Sequence, residues 1–391
     1  MESTIGIDGV CDEAFRAVRD AFAENFESRG EVGAAVTVIA GGKTVVDLWG
    51  GRADARSQRP WQRDTIVMVF SSTKGATALC AHHLSARGKL DLDAPVARHW
   101  PEFAAAGKAG IPVRMLLSHQ AGLPAIERPM ADDALLDWGA MTSALAEQAP
   151  WWPPGTAHGY HAITSGFLIG EVVRRISGIS LGRYFREAIA DPLGLDFWIG
   201  LPEEHEPRVA RLIPAPMPTE LTPFFAALVE RSTLVNRAFL NPPTLMKPPG
   251  MLTRACRAAE IPAANGMATA RALAGMYAPL ACGGSLGGVE IVDRDTLARM
   301  SAVESEGMDR VLLVPTRFAL GFMKTMDNRP LDSAILGPSS RAFGHVGAGG
   351  SLGMADPDAG IAFGYVMNQM GPGLLLNPRG QSLVDAVYDS L

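Results

Sequence analysis

Apolar positions recur along this chain in two rhythms, and the changes from one to the other divide it into candidate elements. Near the start, Phe15, Val18, Phe22 and Phe26 keep the spacing of one helical face, so a helix is predicted over residues 11 to 27. Val32 to Ala40 and Thr44 to Gly50 are β-branched runs separated by Gly41-Gly42, which predicts a hairpin closed by a tight turn. The helical period returns after Ser71. Ala76, Leu79, Cys80, His83 and Leu84 fall on one face, and Gly88 stands where a glycine cap belongs.

From about residue 90 to 315 the pattern is helices and long, proline-bearing loops. Helices are predicted over 133 to 148, over 161 to 177 with Gly178 closing it, and near 268 to 281. Residues 201 to 260 carry many prolines, including Pro242-Pro243 and Pro248-Pro249, and read as an irregular lid or pocket wall. Strand character returns in Arg317 to Lys324, Arg341 to Phe343, Ser351 to Met354 and Gly360 to Val366, before a final helix from about Arg379 to Ser390. The fold class is therefore α/β. One sheet domain, 1–63 with 316–391, is interrupted by a mostly helical domain, 64–315, and the cleft between them is the expected place for a site.

Composition narrows the function. A chain of 391 residues with 47% apolar content can bury a large core. Thirty-five Lys and Arg against 41 Asp and Glu give a net charge of −6 without a basic run, which argues against nucleic acid as a partner. Met1 to Glu13 holds Glu2, Asp8, Asp12 and Glu13 and lacks the apolar core of a signal peptide, and no apolar stretch is long enough to span a bilayer. A soluble cytoplasmic protein with no membrane partner is expected. Cys11, Cys80, Cys256 and Cys282 form no C-x-x-C pair, and the eight histidines are scattered, so neither a metal nor a cofactor is expected.

Two serines compete as nucleophiles. Ser71 and Lys74 are three residues apart at the start of a helix, where side chains at i and i+3 lie about 5–6 Å apart, so the lysine reaches the hydroxyl. A serine there sits at the positive end of the helix dipole, with free backbone N–H groups able to face a developing anion. Against this, Ser-Ser-Thr is also an ordinary helix cap and Lys74 an ordinary surface charge. The second motif is Gly349-Gly350-Ser351-Leu352-Gly353, a G-x-S-x-G pattern. A nucleophile elbow needs a histidine later in the chain, and the last one, His345, precedes Ser351. Strand-like residues also follow it where a helix is required, so a glycine-rich strand entry is the better reading.

Further features join the first serine: Leu116 to Leu123, the stretch Trp151-Trp152-Pro153-Pro154-Gly155-Thr156 leading to Tyr160, and His345-Val346-Gly347. With Ser71-x-x-Lys74, their order and separations resemble the serine β-lactamase and penicillin-binding-protein superfamily, most closely the family VIII carboxylesterases. The resemblance runs from Val32 to the final helix. It implies an antiparallel sheet flanked by the terminal helices, with a helical inserted domain. It also implies Ser71 as nucleophile, Lys74 as its base, Tyr160 as proton relay, and the N–H groups of Ser71 and Ala348 as an oxyanion hole. His345, Gly347 and Trp152 become candidate substrate contacts, with His345 either a hydrogen-bond donor to substrate or a half-buried histidine satisfied by the backbone. Trp49 and Trp151 are either pocket walls or core, and Ser118, His119, His158 and His161 read as loop supports.

The chain departs from the lactamases twice. His345 and Val346 replace the lysine and threonine of the third motif, and Ala162 stands where an asparagine is expected. Those groups hold a carboxylate and an amide in lactamases, so their absence points to a small neutral ester as substrate. A β-lactamase, D-amino-acid peptidase or amide hydrolase is the alternative within the superfamily, and a catalytically silent recognition protein is the alternative outside enzymology. Lysine titrates near 10.4 and tyrosine near 10 in water, so neither is a base at neutral pH without help, and Lys74 becomes one only where burial and a second proton carrier nearby lower it.

Overall fold

The structure, a computed structural model, describes residues 6–216, 222–245 and 250–391. Pro248-Pro249 lies outside the described residues. At the centre is a ten-stranded sheet built from both ends of the chain. Its strands are β1 (Ile7–Cys11), β2 (Gly33–Ala40), β3 (Lys43–Asp54), β4 (Ser305–Met308), β5 (Pro315–Phe318), β6 (Met323–Lys324), β7 (Phe343–Val346), β8 (Leu352–Asp356) and β9 (Ile361–Met367), with the short Arg59–Pro60 beside β3. The order is β1-β3-β2-β9-β8-β7-β6-β5-β4, and each pairing is antiparallel. Because β2 pairs with β9, the first hairpin and the last strands form one surface.

Helices cover both faces. On one lie α1 (Arg16–Ser28) and the C-terminal helix Pro378–Tyr388, which pack together. Arg379 on that terminal helix donates to Glu31 at 3.0 Å, and the Tyr365 hydroxyl on β9 donates to the same carboxylate, pinning helix to sheet. Burial pushes the Glu31 carboxyl up to about 7, although Arg379 opposes the rise. Against the other face lies the helix Ala270–Ala281. A Cβ at Gly364 would stand 2.2 Å from the Ala270 carbonyl, so only glycine lets that helix lie this close to β9.

Most predicted elements are present, and the differences have local causes. Strand β1 lies inside the acidic opening segment; it is an edge strand with three exposed residues and no apolar alternation to reveal it. The stretch predicted as one strand over 317–324 is two, because Ala319 donates to the Phe322 carbonyl at 2.8 Å across a turn in which Gly321 has φ +89°. The sheet also reaches back to Ser305, before the expected domain boundary at 316. In the proline-rich section the described residues form three short helices, Pro223–Val229, Leu234–Leu240 and Arg254–Ala258. Thr222, Thr233 and Thr253 each cap one by accepting an N–H, so the expected irregular wall is in part helical.

Between the sheet and the helical region sits α2 (Thr73–Ala86), buried around its whole circumference from Thr73 to Leu84 rather than along one stripe. It is preceded by one 3₁₀ turn, Phe70–Ser72. The next long helices are α3 (Trp138–Glu147), which Asp137 caps by accepting from the Ala140 N–H at 3.0 Å, and α4 (Thr164–Ser177), closed by left-handed Gly178. Helix α4 starts three residues later than predicted, which leaves Tyr160 on the loop before it.

Candidate active site

Ser71 stands on a strained turn. The preceding Phe70 has φ +47°, a left-handed conformation that bulky side chains avoid and that costs of order 1–3 kcal/mol. The compensation comes from a buried hydroxyl set. Ser351 Oγ donates to the Val69 carbonyl at 2.7 Å and lies 3.1 Å from Ser72 Oγ, which donates to the His345 carbonyl at 3.1 Å. Thr73 Oγ1 donates to the Phe70 carbonyl at 2.5 Å and accepts from the Gly266 N–H at 2.9 Å. The competing serine motif is therefore a clamp on the Ser71 turn. Ser351 is 1% exposed, whereas Ser71 is half-buried.

Lys74 lies one turn onward, and its Nζ is 3.2 Å from Ser71 Oγ. The same nitrogen donates to the Ala162 carbonyl at 2.7 Å and to the Ala263 carbonyl at 2.9 Å. When the amine is neutral it has two hydrogens and one lone pair, so these carbonyls take both hydrogens and leave the lone pair for the Ser71 hydroxyl. Burial holds the Lys74 amine well below the usual lysine range. Ala162, at the position where an asparagine was expected, contributes its backbone instead of a side chain.

Tyr160 is brought in from the loop before α4. Lys74 Nζ sits 4.6 Å from its ring centroid, over the face. The ring lies stacked on Phe318, with centroids 6.0 Å apart, and 6.1 Å from the His345 ring. The Tyr160 N–H donates to Asp309 at 3.0 Å and 3.1 Å, and that carboxylate also accepts from the Val311 and Leu312 N–H groups, each at 2.8 Å. The Tyr160 hydroxyl is buried without a hydrogen-bond partner among the described residues. Burial raises the phenol above its ordinary value; nearby Ser71 opposes the rise without a hydrogen bond to it in this arrangement, and Asp309 adds to it.

Three histidines complete the surroundings. His119, with φ +61°, stands edge-on to Tyr160 at 5.1 Å and accepts from the His161 N–H at 3.3 Å through Nδ1. His161 accepts from the Leu123 N–H at 3.0 Å, fixing the loop on which Tyr160 sits. Burial pushes His161 down to about 4 and His345 to about 3, and holds His119 well below its usual range. All three are neutral imidazoles at neutral pH. His345 Nδ1 is 2.7 Å from the Val346 carbonyl, which only accepts, so Nδ1 carries the hydrogen and Nε2 is a bare acceptor. Of the two readings of His345, this arrangement matches the histidine satisfied by the backbone, since its one N–H is already committed to the Val346 carbonyl.

Gly347 and Ala348 pass directly over the Ser71 turn. A Cβ on Gly347 would lie 2.1 Å from the Val69 carbonyl oxygen and 2.2 Å from Ser351 Oγ, so no other residue fits. Neither the Ser71 N–H nor the Ala348 N–H has a hydrogen-bond partner among the described residues, which leaves both free for an anion. Trp152, in contrast, donates its indole N–H to the Ala157 carbonyl at 3.0 Å and packs with Gly159, His161 and Arg310. Those contacts brace the Tyr160 loop. Ser71, Lys74, Tyr160, His345, Gly347 and Ala348 thus come together, and Trp152 supports them from the loop.

Asp309, Ser72 and the clamping role of Ser351 were not read from sequence. A lone aspartate 149 residues from its partner carries no local signal, and the serines' roles depend on strands meeting across the fold.

The chain matches the Beta-lactamase family over residues 18–386. It belongs to the beta-lactamase family. Within that family it is 39% identical to the esterase/beta-lactamase LipL of Mycobacterium tuberculosis over 370 residues, 93% of this chain and 83% of LipL. Among solved structures, a penicillin-binding protein homologue from Caulobacter crescentus is similar at a TM-score of 0.89 with 41% identity, covering 99% of this chain and 100% of that one. A family VIII carboxylesterase matches at a TM-score of 0.86, also with 41% identity and the same coverage. No helix among the described residues is long and apolar enough to cross a membrane.

Proposed function

We propose that the protein is a serine carboxylesterase that hydrolyses short-chain carboxylic esters through an acyl-enzyme on Ser71. The observation that carries this is Lys74, whose two carbonyl partners direct its lone pair at the Ser71 hydroxyl 3.2 Å away. Lys74 takes the serine proton as Oγ attacks the ester carbonyl, and the free N–H groups of Ser71 and Ala348 receive the oxyanion. Tyr160 gives its proton to the departing alkoxide and recovers one from Lys74. Water then attacks the acyl-enzyme, and the acid leaves as the proton returns to Ser71 Oγ.

A neutral substrate is favoured because position 345 offers an uncharged acceptor where a lactamase has a cation, and a carboxylate finds no partner there. The likeness at 41% identity to a family VIII carboxylesterase supports the same reading. Likeness to an esterase/beta-lactamase supports slow β-lactam turnover as a second activity of the same serine. The substrate enters between the sheet domain, 1–63 with the strands from Ser305 onward, and the helical domain that precedes Ser305. A cytoplasmic setting accords with four unpaired thiols, and the partners are small esters rather than nucleic acid or membrane.

The test compares wild type, Ser71→Ala and Ser351→Ala on p-nitrophenyl butyrate and on a chromogenic cephalosporin. Ester hydrolysis abolished in Ser71→Ala and retained in Ser351→Ala supports the reading. Faster cephalosporin than ester turnover in wild type points instead to a β-lactamase, and turnover of neither points to a silent recognition protein.

A further inference from the structure

Two buried polar atoms in this site have no partner among the described residues, and they are complementary. One is the Tyr160 hydroxyl; the other is His345 Nε2. Their rings are 6.1 Å apart, and both side chains are nearly inaccessible, Tyr160 at 4% and His345 at 1% exposure. A bare acceptor left unpaired in such a place is costly, and beside a reacting centre a ligand is one partner that could complete it.

The tautomer determines which ligand. With its N–H held by the Val346 carbonyl, the ring cannot rotate to offer a donor without breaking a 2.7 Å hydrogen bond. The backbone of the same residue is also fixed, since its carbonyl accepts from Ser72 Oγ at 3.1 Å. His345 therefore presents a lone pair from a ring centred 6.1 Å from that of Tyr160, the group that handles the leaving alcohol.

During acylation the departing alkoxide accepts a proton from Tyr160 and has no hydrogen to offer His345. During deacylation water enters the same space with two hydrogens. One is transferred as the oxygen attacks; the other stays on that oxygen and needs an acceptor. We propose that His345 Nε2 accepts the retained hydrogen of the hydrolytic water, so that His345 is a positioning residue that favours water over alcohols as the acyl acceptor.

The step balances. The water oxygen bonds to the acyl carbon and the Ser71 Oγ–carbon bond breaks. The transferred proton passes through the Lys74–Tyr160 pair to Ser71 Oγ, and the retained hydrogen becomes that of the product acid. His345 gains no proton, in keeping with an imidazole that stays neutral. An alcohol has only one hydrogen, which is transferred, so it leaves Nε2 unpaired.

This inference rests on the esterase reading, and the test separates the two. Wild type, His345→Leu, His345→Asn and His345→Gln are mixed with p-nitrophenyl butyrate with and without 1-butanol. Burst kinetics report acylation, and the ratio of butyl butyrate to butyric acid reports partition. Leucine removes the acceptor. Asparagine keeps a donor near the Val346 carbonyl but does not reach the Nε2 position, and glutamine places an amide oxygen there. One hydrogen bond corresponds to about a fivefold effect, so Leu and Asn are expected to raise the ester-to-acid ratio about fivefold, with steady-state turnover falling more than the burst rate. Gln is expected to restore the ratio in part. An unchanged ratio in the folded Leu or Asn variant overturns the proposal while leaving the esterase reading intact. Absence of a burst and of an acyl adduct in wild type overturns both.

Discussion

Asp309 offers a quantitative test of how the site is built, because its carboxylate is buried and holds Tyr160 only through the backbone. It accepts from three amides, Tyr160 at 3.0 Å and Val311 and Leu312 at 2.8 Å, and from the Thr316 hydroxyl at 3.2 Å. Asp309→Ala leaves those four donors without that acceptor. At about 1 kcal/mol or more for each buried group left unmade, the expected loss is about 4 kcal/mol. Asp309→Asn keeps one oxygen for the loop amides and turns an NH₂ toward one other donor, so its expected cost is about 1–2 kcal/mol. Activity falls for a separate reason. A displacement of about 1 Å in a catalytic group costs about a hundredfold, and the Tyr160 hydroxyl is carried by this segment. Urea unfolding measures the first effect; kcat and KM on p-nitrophenyl butyrate measure the second. The expected pattern for Asp309→Asn is a fall in kcat with KM little changed. An Asp309→Ala protein that loses less than about 1 kcal/mol and keeps its kcat refutes the argument.

Two further outcomes follow from buried groups. Lys74 is ordinarily protonated in the unfolded chain and burial in the fold opposes its charged form, so it subtracts stability at neutral pH, and that cost vanishes as pH rises toward the ordinary lysine value. Lys74→Met is therefore expected to be inactive, and the difference in unfolding free energy between wild type and variant is expected to shift against wild type as pH falls from 10 to 7; a pH-independent difference contradicts a neutral Lys74. Ser351→Ala removes the hydrogen bond to the Val69 carbonyl and the contact with Ser72, an expected loss of about 1–2 kcal/mol by thermal denaturation, with kcat reduced but far above that of Ser71→Ala.

What could be read before any coordinates is unevenly distributed, for physical reasons. The hairpin β2–β3, helix α2 with Gly88 and helix α4 with Gly178 announce themselves because alternation, helical period and glycine caps are local signals. Ser71, Lys74 and Tyr160 were picked out through the family resemblance, and the fold places Lys74 Nζ 3.2 Å from Ser71 Oγ and 4.6 Å from the centre of the Tyr160 ring. The supports were not: Phe70 in a left-handed conformation, the Asp309 carboxylate and the Ser351 clamp exist only because distant segments meet. His345 shows the limit most sharply. Its position suggested a substrate contact, but whether it donates or accepts depends on one backbone carbonyl 2.7 Å from Nδ1, which sequence does not report. The short helices between 223 and 258 were obscured by their prolines, although the capping threonines at 222, 233 and 253 were visible all along.

The central claim is that Ser71 carries the acyl group and that Lys74 makes it reactive. The most direct measurement treats the protein with a fluorophosphonate ester and maps the adduct by peptide mass spectrometry. One phosphonyl group on Ser71, with labelling at least about a hundredfold slower in Lys74→Met, is the expected result, since general-base assistance contributes about 10²–10⁴ in rate. An adduct on Ser351 or any other side chain, or undiminished labelling of Ser71 in Lys74→Met, contradicts it.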